Sequence, residues 1–382
     1  MEILEFKNPF NKLKCFYAKE PIMKFQNCFH EPCSIISARS LVLRILAICI
    51  FFVPACSAQK TSKAAALDDT SITQLLNDTH AKYKNVKDGK NADYIPILTT
   101  VPSELFGIVI ATRDGNIYSA GDVDYAFSIQ SLSKPFTASL VMQEFGGPEA
   151  VSNKIGVEPT GLPFNSKLAL ELLETRSVNP MVNAGAIAAI SIIRADSEQK
   201  RWEMVLGNLS DFAGEPLSLI QEVYDSEYET CWSNRGIANL LYNYERLYCE
   251  PEEALRVYTK ACSVGITTKQ LAMMGATLAN GGINPKTGTK LLDAEHVPEL
   301  LAIMLMAGFY DESGQWAYTA GLPAKTGVGG GVVAVVPGQF AIAAFSPRLN
   351  QAGNSVRSMK AIRHIAGELG VGIFGANPDS AN

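Results

Sequence analysis

The stretch AFSIQSLSKPF, residues 126–136, places a serine and a lysine three positions apart within an apolar segment. On a helix, positions i and i+3 lie on one face, so the side chains of Ser131 and Lys134 would be neighbours. A serine nucleophile and a lysine base require this geometry. Chance also supplies the pattern, and two further copies occur in polar surroundings at Ser57–Lys60 and Ser197–Lys200. The motif alone therefore does not decide the chemistry.

The composition of the 382-residue chain is that of a globular protein, with 47% hydrophobic and 19% charged residues. Its length favours one large domain or two sub-domains. The formal net charge is −5 and no basic stripe follows the N-terminal leader, so nucleic-acid binding is not expected. Beyond the leader, Cys231, Cys249 and Cys262 form no Cys-x-x-Cys pair and are expected to be free thiols. Glu295–His296 and His364 with Glu368 lack a third ligand nearby, so no metal site is predicted.

The N-terminal segment has the pattern of an export signal. Arg39 and Arg44 flank or enter the apolar run LVLRILAICIFFVPACSAQ, residues 41–59, which ends in small residues. The run is short for a membrane span, which needs about 20 apolar residues. Val53–Cys56 also resembles a bacterial lipoprotein cleavage box, with Cys56 as the lipidated residue. An exported, periplasmic or lipid-anchored protein is therefore expected, or a cytoplasmic one if the leader is a misassigned start. The segment before Arg39 is long for a signal, so the start can be Met1 or Met23.

These signals divide the chain into four predicted segments. Residues 1–58 form a signal peptide or lipoprotein leader and residues 59–70 form a linker. The globular domain covers residues 71–375, and residues 376–382 form a flexible tail.

Strand patterns lie at both ends of the globular part. LFGIVIATRDGNIYSAGD, residues 105–122, predicts a hairpin turned at Asp114–Gly115, and residues 321–347 predict two strands turned at Pro337–Gly338. Pro135 fits only a first helical turn, which places Ser131 at a helix N-terminus just after the first strands. A helical pattern runs from 168 to 292, and a final helix covers about 354–368. The predicted fold class is α+β, an antiparallel sheet packed on helices with an all-helical lobe.

A second motif, Lys325-Thr326-Gly327, precedes the glycine run GVGGG at 327–331. A strand follows these glycines, whereas phosphate-binding loops open a helix, so no nucleotide cofactor is expected. The glycines are instead expected to let a strand backbone approach a ligand. An early Ser-x-x-Lys paired with a late Lys-Thr-Gly is typical of serine β-lactamases and penicillin-binding proteins.

Longer strings narrow this resemblance. YIPIL at Tyr94, VNPMVNAGAI at 178–187, YDSE at 224–227 and the run GFYDESGQWAYTAGLPAKTGVGGGVVAVVPG at 308–338 together resemble the glutaminase family. That family is similar to β-lactamases in fold and hydrolyses L-glutamine to L-glutamate and ammonia. The likeness extends from about residue 71 to residue 375.

The resemblance implies a role for individual residues. Ser131 would be the nucleophile, Lys134 its base and Tyr310 a proton relay, while the backbone N–H groups of Ser131 and Val328 would form the oxyanion hole. It also implies a homotetramer without cofactor or metal. The positions that hold the substrate in the family fall on Tyr94, Ser131, Asn183, Glu227, Asn234, Tyr258, Tyr310 and Val328.

Two departures from the family pattern are visible. The family usually has Arg-Asn where this chain has Ser233-Asn234, which leaves open what supports Asn234. It commonly has Lys-Ser-Gly where this chain has Lys-Thr-Gly, a change that keeps the hydroxyl.

The residue chemistry gives independent support. Lysine titrates near 10.4, so burial would have to lower the pKa of Lys134 by roughly three units for it to act as a base at pH 7. The apolar neighbours Phe127, Leu132 and Phe136 favour such burial. A free amino acid also carries an ammonium group that needs a carboxylate, for which Glu227 is the candidate.

Other interpretations remain open at this point. Taken singly, Tyr94, Tyr258 and Tyr310 fit core aromatic residues, Asn183 a cap or turn, and Glu227 a surface carboxylate. A penicillin-binding protein or β-lactamase shares both motifs, although no Ser-Asp-Asn triplet lies between them. An inactive amino-acid-binding protein would use the same pocket without releasing ammonia.

Overall fold

The computed structural model describes residues 69–174 and 177–374. All described residues belong to one compact unit, which lies within Ala65–Asn382. The predicted leader, the tail and most of the linker lie outside the described residues. Asp69 and Thr70, which the sequence placed in the linker, begin the first helix.

Helices make up most of the centre of the domain, where the sequence predicted a helical pattern. They are α1 (Asp69–Tyr83), α2 (Ser133–Phe145), α3 (Glu149–Lys154), α4 (Leu168–Leu172), α5 (Asn183–Ile192), α6 (Glu198–Ala213), α7 (Gln221–Thr230), α8 (Trp232–Asn243), α9 (Pro251–Cys262), α10 (Thr268–Ala279), α11 (Val297–Ala307), α12 (Ser313–Thr319) and α13 (Val356–Leu369). Four 3₁₀ turns cover Pro96–Thr100, Gln130–Leu132, Ala294–His296 and Tyr310–Glu312.

The strands form two antiparallel sheets. They are β1 (Gly107–Thr112), β2 (Ile117–Gly121), β3 (Phe127–Ser128), β4 (Ser218–Leu219), β5 (Val264–Ile266), β6 (Ala324–Thr326), β7 (Gly331–Val336) and β8 (Phe340–Phe345). The large sheet has the order β2-β1-β8-β7-β6, and the small sheet has the order β3-β5-β4. The first and last strands of the domain therefore meet at the centre of the large sheet, where Ile110 pairs with Ile342.

Both faces of the large sheet are covered. Ile108 and Ile110 of β1 belong to the core that the sheet shares with α1 and α13. Val109 and Ala111 belong to the larger core, which contains α10 and the helical lobe. Because successive strand residues point to opposite faces, both sides of β1 are buried. The predicted fold class, an antiparallel sheet packed on helices with an all-helical lobe, is confirmed.

Three details of the prediction need correction. Residues 321–347 form three strands rather than two, because the glycine run at 327–330 turns β6 back onto β7. The helical pattern predicted from 168 to 292 is interrupted by the short strands β4 and β5. The final helix begins at Val356, two residues after the predicted start.

None of the helices in the described ranges is long and apolar enough to cross a membrane.

Candidate active site

Ser131 lies in the 3₁₀ turn Gln130–Leu132, directly before α2 begins at Ser133. The sequence predicted a helix N-terminus here, and the structure places the serine in the turn that leads into the helix. Gln130, the residue before it, has a φ of +50°, a left-handed conformation that side chains other than glycine rarely adopt. The Ser133 hydroxyl donates to the Gln130 carbonyl at 2.8 Å and secures this conformation. Backbone strain of this kind clusters at functional sites.

Lys134 is buried beside the serine on the first turn of α2. Its Nζ lies 2.9 Å from Ser131 Oγ and donates to Asn183 Oδ1 at 2.7 Å. Burial lowers the pKa of Lys134 to about 8, against the smaller opposing effects of Cys262 and Glu227. At neutral pH a useful fraction of this amine is therefore unprotonated and can accept a proton from Ser131.

Asn183 extends this network into the substrate region. It opens α5, and its Nδ2 donates to Asn234 Oδ1 at 2.8 Å. The two amides therefore have fixed orientations, with the Asn183 oxygen on Lys134. Asn234 keeps its Nδ2 hydrogens available, since this group donates to no partner among the described residues.

Tyr310 approaches Ser131 from the 3₁₀ turn after α11. Its φ is +58°, the second left-handed residue at the site, and its hydroxyl donates to the Thr326 carbonyl at 3.4 Å. Burial raises the pKa of Tyr310, while its hydrogen bond with Ser131 lowers it in part. The phenol is thus held protonated next to the serine oxygen.

Lys325 supports this tyrosine, a role that its place in the Lys-Thr-Gly motif did not reveal. Its Nζ donates to the carbonyls of Gly308 and Thr326 at 3.0 and 2.8 Å and lies 4.0 Å from the centroid of the Tyr310 ring. Burial holds the pKa of Lys325 well below its usual range, and the positive charge of Lys134 adds to the effect.

The turn between β6 and β7 packs directly on the segment that carries the nucleophile. A Cβ at Gly329 would lie 2.4 Å from the Ser128 carbonyl oxygen, and one at Gly327 would lie 3.1 Å from the Ile129 oxygen. The glycines were expected to admit a ligand, but the neighbour that requires them is this backbone. Their close approach brings Val328 to the nucleophile segment. Neither Ser131 nor Val328 uses its backbone N–H in a hydrogen bond within the described part of the chain, which suits both groups to an oxyanion hole.

Glu227 of α7 is a buried carboxylate rather than a surface one. Its Oε2 accepts a hydrogen bond from Gln130 Nε2 at 2.9 Å. Burial raises the pKa of Glu227 to about 7, opposed by that hydrogen bond and by the charge of Lys134. Sequence reasoning missed Gln130, because nothing in the local pattern links two residues 97 positions apart.

One cavity is lined by four of the predicted substrate-binding residues, Tyr94, Asn183, Glu227 and Asn234, and its lining does not include Ser131. Its lining residues are Tyr94, Ile95, Phe164, Asn165, Asn183, Glu227, Thr230, Cys231, Ser233 and Asn234. Tyr94 stands at the mouth, with 50% of its surface exposed. Burial nevertheless raises the pKa of its hydroxyl well above the usual range, and Tyr310 and Glu227 add to that effect.

Tyr258 forms part of the wall behind the lysine. It is buried on α9, and its ring centroid lies 5.7 Å from Lys134 Nζ. One turn later on the same helix Cys262 is also buried, and burial raises the pKa of Tyr258 well above its usual range, with Cys262 adding to the effect. The structure thus gathers all the residues that the resemblance pointed to around a single centre, while their individual roles stay predictions.

The other copies of Ser-x-x-Lys do not belong to this centre. Ser197 caps the N-terminus of α6, where its hydroxyl accepts from the Lys200 backbone N–H. Ser57 lies outside the described residues.

Comparisons with known proteins identify the family of this chain. A family model described as Glutaminase matches residues 89–374. The glutaminase of Mycobacterium ulcerans (strain Agy99) is 50% identical over 309 residues, which cover 81% of this chain and 96% of the relative. This chain belongs to the glutaminase family. The resemblance drawn from the sequence is confirmed.

Further glutaminases show the same relationship. Glutaminase 1 of Escherichia coli (strain K12) is 49% identical over 308 residues, which cover 81% of this chain and 99% of the relative. A solved structure of a probable glutaminase, YbaS, matches with a TM-score of 0.79 at 48% identity, covering 81% of this chain and all of that chain. A probable glutaminase from Bacillus subtilis, complexed with 6-diazo-5-oxo-L-norleucine, matches with a TM-score of 0.72 at 31% identity, covering 79% and 96%.

The two departures from the glutaminase pattern can now be located. Ser233 lines the cavity beside Asn234 and accepts a hydrogen bond from Lys167 Nζ at 2.6 Å. Asn234 is held by Asn183 rather than by residue 233. The Thr326 hydroxyl is buried and has no hydrogen-bond partner among the described residues.

The histidine pairs considered for metals lie away from this centre. Asp293 adds the third side chain that the sequence did not point to, since ligand atoms of Asp293, Glu295 and His296 lie within 4.8 Å of one another. Asp293 is already ion-paired with Lys290, and both acids are exposed. On α13, His364 Nδ1 lies 3.6 Å from Glu368 Oε1.

Proposed function

We propose that this protein hydrolyses L-glutamine to L-glutamate and ammonia through an acyl-enzyme on Ser131. The observation that carries the proposal is the buried Ser131–Lys134–Asn183 network, with contacts of 2.9 and 2.7 Å. The family membership and the glutaminase relatives support the substrate class. No step requires a cofactor.

Acylation begins with proton transfer from the serine. When Lys134 is neutral, the Ser131 hydroxyl donates to Nζ and its oxygen attacks the side-chain amide carbon of glutamine. The carbonyl oxygen becomes an oxyanion, for which the backbone N–H groups of Ser131 and Val328 are the available donors. The C–N bond then breaks, and Tyr310 gives its proton to the departing ammonia. The proton that Lys134 took from Ser131 then restores the Tyr310 hydroxyl, so that proton numbers balance.

Deacylation uses the same groups with water in place of serine. Neutral Lys134 accepts a proton from the attacking water and later passes it to the departing Ser131 oxygen. The bond between the acyl carbon and Ser131 Oγ breaks, and the serine recovers its proton as glutamate forms.

Recognition of a free amino acid falls to the buried carboxylate. A substrate ammonium beside Glu227 would replace the solvation that this group has lost, and its pKa would fall from about 7 towards the usual range. The distance from Glu227 to Ser131 then selects the length of the substrate. Asparagine is one methylene too short to place its ammonium group on Glu227 and its amide carbon at Ser131 at the same time.

The test is release of ammonia by the protein from residue 57 onward, with glutamine and asparagine side by side. The proposal expects turnover of glutamine. Turnover of the β-lactam nitrocefin without ammonia release would favour a β-lactamase-type enzyme, and glutamine binding without ammonia release would favour an amino-acid-binding protein. Either result would overturn the proposal.

We also propose export through the N-terminal leader and assembly into a homotetramer. The leader proposal rests on Arg39, Arg44 and the apolar run that ends at Cys56. Mass spectrometry of the native protein would find a new N-terminus near Cys56 or Ala58, with a lipid on Cys56 if the protein is anchored. An intact N-terminus in the cytosol would contradict export. Light scattering that gives a monomer would contradict the tetramer.

A further inference from the structure

A hydrogen bond joins the ammonium group of Lys167 to the hydroxyl of Ser233, a residue that lines the cavity. Lys167 immediately precedes α4, Ser233 lies in the first turn of α8, and the Lys167 Nζ donates to Ser233 Oγ at 2.6 Å. Ser233 lines the cavity together with Glu227 and Asn234. Lys167 makes no ion pair with any carboxylate of the described residues, so its charge is directed at this hydroxyl.

The hydrogen bond fixes the polarity of the serine. An ammonium group can only donate, so Ser233 Oγ must be the acceptor and its own O–H proton is free to point elsewhere. Because Ser233 lines the cavity, this proton can be directed towards a bound molecule. The donor is strengthened by the adjacent positive charge, since hydrogen bonds assisted by a charge are the stronger ones.

The cavity needs such a donor. Among the described residues that line it, none carries a positive charge, whereas Glu227 carries a negative one. A free amino acid brings a carboxylate two bonds from its ammonium, so a carboxylate must enter close to Glu227. Next to Ser233, the Asn234 Nδ2 group supplies a second unused donor, because Asn234 Oδ1 is the atom that accepts from Asn183.

We infer that Lys167, acting through the Ser233 hydroxyl, is a positioning residue that selects substrates with a free α-carboxylate. The inference rests on the proposed function and deepens it. Lys167 and Ser233 together bring positive charge beside Asn234, as a single cationic side chain at position 233 would. Lys167 is exposed, so solvent screens its charge and the effect is a several-fold change in substrate binding rather than a loss of activity.

The experiment measures kcat and KM for L-glutamine and for L-glutaminamide, whose α-carboxylate is replaced by a neutral amide. The variants are Lys167→Ala, Ser233→Ala, the double alanine variant and Lys167→Ala with Ser233→Arg. Lys200→Ala is the control, since Lys200 is another exposed lysine near a helix start.

Lys167→Ala is expected to raise KM for glutamine about three- to tenfold with kcat within about twofold, and to leave KM for glutaminamide unchanged. Ser233→Ala should have the same effect, the double alanine variant no further one, and arginine at 233 should restore binding. Equal losses for both substrates, unchanged KM for glutamine, or additive losses of the two alanine variants would overturn the inference. A wild-type protein that releases no ammonia from glutamine would instead refute the proposed function, before any variant is compared.

Discussion

The pKa of Lys134 can be moved by a change of one side chain. Asn183→Asp replaces the amide oxygen 2.7 Å from Lys134 Nζ with a carboxylate of almost the same shape. An opposite charge at close range raises a lysine pKa by about one to three units, and in this buried site we expect about two. The pKa would therefore rise from about 8 to about 10. At pH 7.5 the neutral fraction of the lysine would fall about a hundredfold.

The assay is the pH profile of kcat/KM for glutamine. In the wild-type enzyme, activity should rise with pH through about 8, because neutral Lys134 is the reactive form. Below about 7 the slope of the logarithmic plot should approach two, because Glu227 is then protonated as well. In Asn183→Asp the upper limb, which is the part of the rising profile set by the pKa of Lys134, should move to a pH about two units higher.

Asn183→Ala is the control, because it loses the donor to Asn234 as Asn183→Asp does, and it removes the acceptor of Lys134 without adding a charge. Its kcat/KM should fall at every pH, but the upper limb should stay at or below about 8. If the limb of Asn183→Asp coincides with that of the wild-type enzyme, Lys134 is not the group that titrates, and the assignment of the base is refuted.

Three other outcomes are expected. Ser131→Ala should lower glutamine turnover at least about a hundredfold with the fold intact by circular dichroism, whereas Ser197→Ala, which removes only a helix cap, should retain activity. The kcat/KM for asparagine should be at least about a hundredfold lower than that for glutamine, and Glu227→Gln should abolish the preference of the wild-type enzyme for glutamine over N-acetylglutamine. A wild-type enzyme with equal kcat/KM for glutamine and N-acetylglutamine would show that Glu227 does not bind the α-ammonium group. Gly329→Ala should lower the melting temperature and turnover because its Cβ would meet the Ser128 oxygen at 2.4 Å, whereas Gly207→Ala, with no atom within 4 Å, should do neither.

Much of the architecture follows from local patterns. The hairpin at Asp114–Gly115 and the turn at Pro337–Gly338 carry turn residues that mark their positions. The turn at 327–330 carries only glycine and valine within an apolar run, so β6 and β7 read as one strand. β4 and β5 are two and three residues long, which is too short for any periodic signal.

The active site divides in the same way. Ser131, Lys134 and the Lys-Thr-Gly motif stand out because their spacing is local. The partners that set their chemistry are distant in sequence: Asn183 lies 49 residues from Lys134, Gln130 lies 97 from Glu227, and Lys167 lies 66 from Ser233. These residues come together only when their helices and turns pack, so local sequence patterns do not predict the pairs.

Two strained residues of the active site are stabilised by the same kind of local hydrogen bond. Gln130 and Tyr310 both adopt left-handed φ values, and the carbonyl of each accepts a hydrogen bond at 2.8 Å from a serine three residues later, Ser133 and Ser313. Each conformation costs about 1–3 kcal/mol, and one buried hydrogen bond returns about 0.5–1.5 kcal/mol. The remainder must come from the tertiary packing around the two turns. The fold therefore spends stability to aim one side chain from each turn at the centre, where Gln130 holds Glu227 and Tyr310 meets Ser131.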